Sequence, residues 1–184
     1  FLRIVEAETT SFHLGREAST IDLAVDKLSN EEINEVETFT NRVLWEDRPI
    51  SVTYVSTTES KLLPLRKTPD QFGDRLRLIE IENFDLTACG GTHVAKTGQV
   101  GLIKVTKTER RSNGMRIEFR CGQRALVDYD KNSAIVRRLM SDMTTAAGEL
   151  PDAVRRLVQE LKITNRQLNR QKKQLINLES NELY

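Results

Sequence analysis

The chain contains few cysteines, histidines and aromatic residues. Only two cysteines and two histidines occur among 184 residues, and aromatic side chains make up 5%. Two cysteines cannot form a disulfide framework, so we expect a reduced, cytoplasmic protein. No apolar run approaches the roughly 20 residues that a membrane span requires, so no membrane partner is predicted. The sequence also lacks a Walker loop, a dinucleotide glycine fingerprint and a Gly-x-Ser-x-Gly motif, which argues against ATP binding.

Charged residues are abundant and unevenly distributed, although the formal net charge is only +1. Residues 1–40 contain nine acidic and three basic side chains, whereas residues 104–124 contain seven basic and two acidic ones. Residues 151–184 are also basic, with seven positive and four negative side chains. Basic segments on an otherwise balanced protein suit a nucleic-acid backbone, and a solvated charged surface is the simpler alternative.

The first two thirds of the chain alternate between strand and helix patterns. Period-two alternation predicts strands at residues 9–14, 19–23, 50–54, 76–81, 102–108 and 115–120. Ser29 followed by Glu32 makes a capping box, and the periodic apolar residues after it predict a helix over residues 30–45. Residues 56–74 contain two prolines and a glycine and are expected to form a loop.

From Gln123 onward the pattern is helical, with Gly148 and Pro151 separating two helices. The second helix carries a stripe at alternating steps of three and four, made of Leu150, Val154, Leu157, Leu161, Thr164, Leu168, Gln171, Leu175 and Leu178. Such a stripe must pack against something. Its partner is either the helix of residues 124–147 or the same helix of a second subunit, which would make a homo-oligomer.

These patterns predict an α+β protein in two parts. Residues 1–124 should form a mixed, mostly antiparallel sheet with a packed helix, and residues 125–184 a helical or coiled-coil extension. The length is sufficient for one domain with its own core and an appendage.

Residues 88–94 read Ala-Cys-Gly-Gly-Thr-His-Val and suggest a metal site. Cys89 and His93 are four residues apart, a spacing at which a thiolate and an imidazole can bind one zinc ion. The glycines between them permit tight or positive-φ conformations. Taken alone, the pair supplies two ligands where zinc needs three or four, and a tight turn around a buried cysteine is the alternative. Adding His13 and Cys121 would make a Cys₂His₂ set.

The wording Cys-Gly-Gly-Thr-His-Val resembles the signature of the alanyl-tRNA synthetase editing domain and its free-standing AlaX-type relatives. Further segments are similar to that family in the same order, over about the first 125 residues: Ser11–Gly15, Ser19–Leu23, Leu63–Lys67, Arg75–Ile81, Asp85, Thr97-Gly98 and Arg116–Ala125. The resemblance implies a threonyl/alanyl-tRNA synthetase editing-type fold. The family's His-x₃-His, expected shortly before the Ser-Phe-His strand, is not found in this sequence.

The resemblance also implies roles for individual residues. Cys89 and His93 would be zinc ligands, with one Zn²⁺ per intact chain, and Thr20 would line the amino-acid pocket. Asp85 would orient a ligand or a water molecule, or else be an ordinary strand-end carboxylate. Arg66 and Lys67 lie in a predicted loop and would hold the terminal nucleotides of tRNA, or else be a solvated pair. Lys107, Arg110 and Arg111 on the basic hairpin are expected to contact tRNA phosphates.

The function implied by the resemblance is hydrolysis of tRNA(Ala) mischarged with serine, and also with glycine. A hydroxyl at Thr20 could pair with the seryl hydroxyl, whereas an ordinary β-branched strand residue is the simpler interpretation. Two alternatives stay open: an editing segment of a full alanyl-tRNA synthetase, and a non-catalytic tRNA-binding or dimerisation module.

Overall fold

The computed structural model describes residues 1–66 and 75–182. The chain divides into two compact units, Phe1–Asp128 and Tyr129–Tyr184. Within the described ranges no helix combines the length and apolar character needed to cross a bilayer. The strands are β1 Thr9–Leu14, β2 Ser19–Leu23, β3 Ile50–Ser56, β4 Arg75–Ile81, β5 Asp85–Ala88, β6 Ile103–Arg111 and β7 Gly114–Cys121. The α-helices are α1 Leu2–Val5, α2 Asn30–Trp45, α3 Thr57–Ser60, α4 Gln123–Met143 and α5 Leu150–Glu182.

Four strands of the first unit form an antiparallel sheet in the order β1-β2-β7-β6. Alternate residues of β2 and β7 point to one face, where Leu23, Met115 and Ile117 are buried. Ile33 of α2 belongs to the same apolar cluster, so the helix covers this face. The opposite face of the sheet carries polar side chains, which become important below.

The remaining three strands form a second antiparallel sheet in the order β3-β4-β5. A bridge between Pro49 and Lys96 ties its first strand to the loop after β5. The buried hydroxyl of Thr97 then donates to the carbonyl oxygens of Val43 and Leu44 at 3.1 and 3.2 Å. Because these carbonyls end α2, Thr97 fastens the loop after β5 to the helix.

The predicted α+β class is confirmed, and so are most of the predicted elements. Helix α2 has the predicted bounds, and its capping box is present, with Glu32 N–H donating to the Ser29 hydroxyl at 3.1 Å. The strands divide between two sheets rather than forming one. Strand β5 was not predicted, and the expected loop begins with the short helix α3, which a second capping box of Ser56 and Glu59 starts. Residues 67–74 lie outside the described ranges.

The helical extension contains α5, which has 33 residues and is about 50 Å long at the usual rise. Its apolar stripe is exposed, with Leu157 58%, Leu161 59% and Leu175 58% accessible. The apolar residues Tyr129 and Leu139 of α4 are exposed as well, at 68% and 43%. The two helical faces therefore do not bury one another, and packing of the stripe on the chain's own helix is not observed.

Candidate active site

The Cys-Gly-Gly-Thr-His segment is the turn that leaves β5. The Cys89 N–H donates to the carbonyl oxygen of Arg77 at 3.3 Å, which continues the β4–β5 pairing by one residue. Cys89 is half-buried and His93 is exposed. A Cβ atom placed on Gly91 would lie 3.6 Å from Cys89 Sγ and 4.0 Å from His93 Cε1. The thiol and the imidazole therefore both lie next to the space that the missing side chain of Gly91 leaves open.

The two glycines of the turn differ in their surroundings. Neither Gly90 nor Gly91 has a positive φ, so the left-handed backbone that the sequence permitted is not used. A Cβ on Gly90 would meet nothing within 4 Å. Gly91 therefore matters for the space between the two side chains rather than for backbone freedom.

The donor set fits part of a zinc site. A thiolate and an imidazole nitrogen are ligands that zinc prefers. Among the residues that the structure describes, no three His, Cys, Asp or Glu side chains are grouped so that they could hold a metal. His13 is paired with Thr20 in β1–β2 and Cys121 with Ile103 in β6–β7, so the Cys₂His₂ alternative is not assembled. Cys89 and His93 fit zinc as two of its ligands.

Thr20 lies on the polar face of the four-stranded sheet. It is half-buried, and its cross-strand neighbours are His13 on one side and Glu118 on the other. Residues that are directly opposite across antiparallel strands share a face, so all three side chains project to the same side. The structure thus places Thr20 in a polar row of the four-stranded sheet, whereas Cys89 follows the three-stranded one.

The sequence did not indicate the ion pair of Arg116 and Asp22, which lies beside Thr20. Arg116 donates to both carboxylate oxygens of Asp22, at 2.6 and 2.8 Å, and Ser11 Oγ donates to the second oxygen at 2.7 Å. The hydrogen bonds from Arg116 and Ser11 hold the pKa of Asp22 well below its usual range. The only sequence signal was the alternation of Asp22 with Thr20, because the pairing of β2 with β7 joins residues 94 positions apart.

Asp85 and Arg66 form an ion pair at the other end of β5. The Arg66 Nε–H donates to both carboxylate oxygens of Asp85, at 2.9 and 3.0 Å. Asp85 begins the strand that Cys89 follows, so the two residues are about 13 Å apart along it. Asp85, which was predicted to orient a zinc ligand, therefore pairs with Arg66 instead, and it lies far from Cys89. Lys67 lies outside the described residues.

A cavity of about 490 Å³ opens beside this ion pair. Arg3, Arg66 and Asp85 provide its charged side chains, and the aromatic residues Phe1, Phe39 and Phe84 line it as well. Its volume falls within the range of small-ligand sites, and a few polar groups among apolar walls are typical of them. Arg66 and Asp85 thus line a cavity and are not an isolated ion pair on the surface.

The three basic residues predicted on the hairpin do not share one face. Lys107 and Arg111 both reach the carboxylate of Glu109, at 3.7 and 3.2 Å. Arg110 lies opposite Met115, on the face of the sheet that carries the core, and is exposed near the hairpin tip. The structure therefore groups Lys107 with Arg111 around a shared carboxylate and separates Arg110 from them.

Arg77 of β4 contacts the Cys89 turn, and the sequence did not indicate this contact. Its Nη1 donates to the carbonyl oxygens of Cys89 at 2.6 Å and Gly91 at 2.9 Å. Arg77 is half-buried between Leu76 and Leu78 of β4, both of which are buried. The sequence did show a basic residue between two leucines. The groups to which it donates could not be predicted, because they depend on the register of β4 with β5.

Comparison with known proteins assigns the class of this domain. Residues 76–118, which include the Cys89 turn, match the family model described as the threonyl and alanyl tRNA synthetase second additional domain. This part of the first unit is therefore similar to the second additional domain of threonyl and alanyl tRNA synthetases.

The particular relatives agree with the resemblance predicted from sequence. The chain is 32% identical over 164 residues to the alanine–tRNA ligases of Pyrococcus abyssi and Pyrococcus furiosus, a match that covers 83% of this chain and 17% of each ligase. It is 29% identical over 170 residues to the alanyl-tRNA editing protein AlaX-L of Pyrococcus horikoshii, covering 91% of this chain and 41% of that protein. The chain is thus similar to both kinds of protein, and it spans about a sixth of the ligases and about two fifths of the editing protein.

Proposed function

We propose that the protein hydrolyses tRNA(Ala) that has been mischarged with serine, and also with glycine. The observation that carries this proposal is that Cys89 and His93 both lie next to the space left by Gly91, in a segment that matches the synthetase editing-type family. The relationship to an alanyl-tRNA editing protein supports the same substrate class.

In this proposal Cys89 and His93 hold Zn²⁺ together with ligands outside the described residues. Bound there, zinc would supply Lewis-acid polarisation at the ester and a means of lowering the pKa of a water molecule. The chain's own contribution is to keep the thiol and the imidazole directed to one point. With only two ligands, the 184-residue chain should bind zinc weakly, and a longer chain containing a His-x₃-His should bind about one ion.

Selectivity is assigned to Thr20 on the polar sheet face. A buried site that hydrogen-bonds a substrate hydroxyl rejects an analogue lacking that hydroxyl far better than an apolar pocket sorts by size. A threonine hydroxyl can donate to or accept from a seryl side chain, and an alanyl methyl group offers it no partner. This chemistry would remove Ser-tRNA and spare Ala-tRNA.

The tRNA would be held at two places. The cavity lined by Arg3, Arg66 and Asp85 suits the terminal nucleotides, because it offers two guanidinium groups for phosphates and bases. The Arg3 guanidinium lies over the Phe84 ring, 4.3 Å from its centroid. Lys67, the next residue after Arg66, is proposed to act there as well. Lys107, Arg110 and Arg111 near the tip of the basic hairpin would contact phosphates.

The chain's two cysteines allow a matched test of the hydrolytic function. Ser-tRNA(Ala) hydrolysis should be measured with a chain that includes any residues encoded upstream of Phe1. Cys89→Ser should abolish hydrolysis, and Cys121→Ser should retain most of it, because Cys121 lies in β7 next to no other candidate ligand. Hydrolysis that survives in Cys89→Ser, or that is lost only in Cys121→Ser, would contradict the proposal.

A second candidate is an editing segment within a full alanine–tRNA ligase. The match to the ligases of Pyrococcus abyssi and Pyrococcus furiosus at 32% identity favours it. Both candidates require the same chemistry at Cys89 and His93. They differ in whether an aminoacylation domain is encoded on the same chain, which sequencing the surrounding gene decides.

A further inference from the structure

We propose that Arg77 is a positioning residue for the zinc-binding turn, an inference that rests on the function proposed above. Its Nη1 donates to the carbonyl oxygens of both Cys89 and Gly91, at 2.6 and 2.9 Å. The two carbonyls lie on either side of Gly90. One nitrogen therefore joins the start and the middle of the turn.

Apart from Arg77, hydrogen bonds hold the turn at its far end, where the Ala95 carbonyl oxygen accepts from Ile50 N–H and the Ala95 N–H donates to Gln99 Oε1, both at 2.9 Å. Residues 90–95 are exposed, and Gly90 and Gly91 have no side chains with which to pack. Glycine also loses more conformational freedom on ordering than any other residue. The backbone hydrogen bond from Cys89 N–H to the Arg77 carbonyl fixes only the first residue of the turn. The guanidinium extends that restraint to Gly91, two residues closer to His93.

Arg77 is suited to this task by its place in β4. Its backbone is paired with β3 at Tyr54, and its strand neighbours Leu76 and Leu78 are buried. The side chain therefore extends from a fixed point in the three-stranded sheet. Hydrogen bonds from a charged donor are shorter and stronger than those from a neutral one. A rigid strand thus holds the backbone of the turn from Cys89 to Gly91, the segment that leads to His93.

Three variants separate this role from simple packing. Arg77→Met keeps an apolar stem of similar length and removes both donors. Arg77→Lys keeps a charged nitrogen that can donate to both carbonyls, so it should rescue part of the function. Arg75→Met is the matched control, because Arg75 is an exposed arginine two residues earlier on the same strand and the structure gives it no hydrogen bond to the turn.

The first measurement needs neither metal nor substrate. Backbone ¹⁵N order parameters of residues 89–93 in the 184-residue chain should be close to the rigid value of about 0.85 in the wild type and fall toward about 0.6 in Arg77→Met. Arg77→Lys should be intermediate, and Arg75→Met should equal the wild type. Unchanged order in Arg77→Met would overturn the proposal. If Arg77→Met lowers the order parameters of the whole domain, Arg77→Lys provides the test instead. In that variant the order parameters should fall only in the turn.

The second measurement concerns zinc affinity, by chelator competition in a chain that includes any residues encoded upstream of Phe1. Arg77→Met should weaken binding by roughly 10- to 100-fold, as is usual when a group that orients a ligand is lost. Equal affinity in wild type and Arg77→Met would overturn the positioning role. A wild-type chain that binds no zinc would instead overturn the proposed function, while the order parameters would still report on Arg77.

Discussion

Arg116 of β7 donates to both carboxylate oxygens of Asp22 on the neighbouring strand β2, at 2.6 and 2.8 Å. The pair lies on the same polar face as Thr20, one row away from it. Its side chains remain 36% and 23% accessible, so water screens the interaction. The pair joins β2 to β7 on the face that also carries Thr20, the residue proposed to select the amino acid.

The ion pair makes the stability of the fold depend on pH in a defined direction. Arg116 lowers the pKa of Asp22 in the folded state below its unfolded value of about 3.9. The stabilisation is therefore complete above about pH 4 and is lost as the pH falls through the folded pKa. Asp22→Asn should lower Tm at pH 7, and the difference from wild type should shrink below about pH 4. Asp26→Asn, at an exposed position, is the control, and an equal effect there would refute the assignment.

Gly91 should be less tolerant of a side chain than Gly90 in metal binding. An added methyl group at Gly91 would lie 3.6 Å from Cys89 Sγ and 4.0 Å from His93 Cε1, which are ordinary contact distances, so folding should be preserved. In the proposed site the methyl would crowd the two side chains that hold the ion, and Gly91→Ala should lower zinc affinity by roughly tenfold or more. Gly90→Ala should have little effect, because nothing lies within 4 Å of its added Cβ. Equal zinc affinity in the two variants would show that the side chains do not converge there.

The sequence predicts well those helices and strands that are determined by residues close together in the chain. Ser29 and Glu32 start α2, and the periodic apolar residues after them carry the helix to Trp45. The β1–β2 and β6–β7 hairpins are equally local, because each joins strands across a short turn. By contrast, the pairing of β2 with β7 joins distant segments, and no local pattern specifies that the strands divide into two sheets.

The same distinction applies to the site. The Cys89 and His93 pairing follows from their spacing in one turn, whereas the contact of Arg77 with that turn depends on the register of β4 with β5. Asp85 precedes Cys89 by only four residues, which suggested that the two side chains are close. The residues between them form an extended strand, which keeps the two residues apart. The stripe of α5 was recognisable as apolar, yet its exposure could be seen only in the folded chain.

Glu109 should restrain tRNA binding by the basic hairpin. Its carboxylate is shared by Lys107 and Arg111, so Glu109→Gln should raise tRNA affinity and steepen the slope of log K against log[salt] by about one unit. Changing Lys107, Arg110 and Arg111 together to Ala should flatten the slope by up to about three units. Lys27→Ala, an exposed base on a different loop, is the control. Slopes unaffected by all these changes would indicate a solvated surface with no phosphate contacts.

The exposed stripe of α5 is proposed to pair with the same helix of a second copy. Leu161 lies in the stripe and Ile163 does not, although both are exposed, at 59% and 48%. Residues two apart on a helix do not face the same way. Leu161→Glu should therefore reduce the mass measured by light scattering to that of a monomer, and Ile163→Glu should not. Deleting residues 151–184 should have the same effect as Leu161→Glu. A wild-type chain that is already monomeric would contradict the pairing.

The most direct test is the ratio of hydrolysis rates for Ser-tRNA(Ala) and Ala-tRNA(Ala). The measurement requires a chain that includes any residues encoded upstream of Phe1. The wild type should hydrolyse the seryl ester and leave the alanyl ester nearly untouched. Thr20→Val should reduce this ratio by roughly tenfold or more, because the hydroxyl partner is lost, and should slow the seryl reaction less. Thr53→Val, the same change at an exposed position of β3, should leave the ratio unchanged. A wild-type enzyme that hydrolyses both esters equally would contradict selective editing.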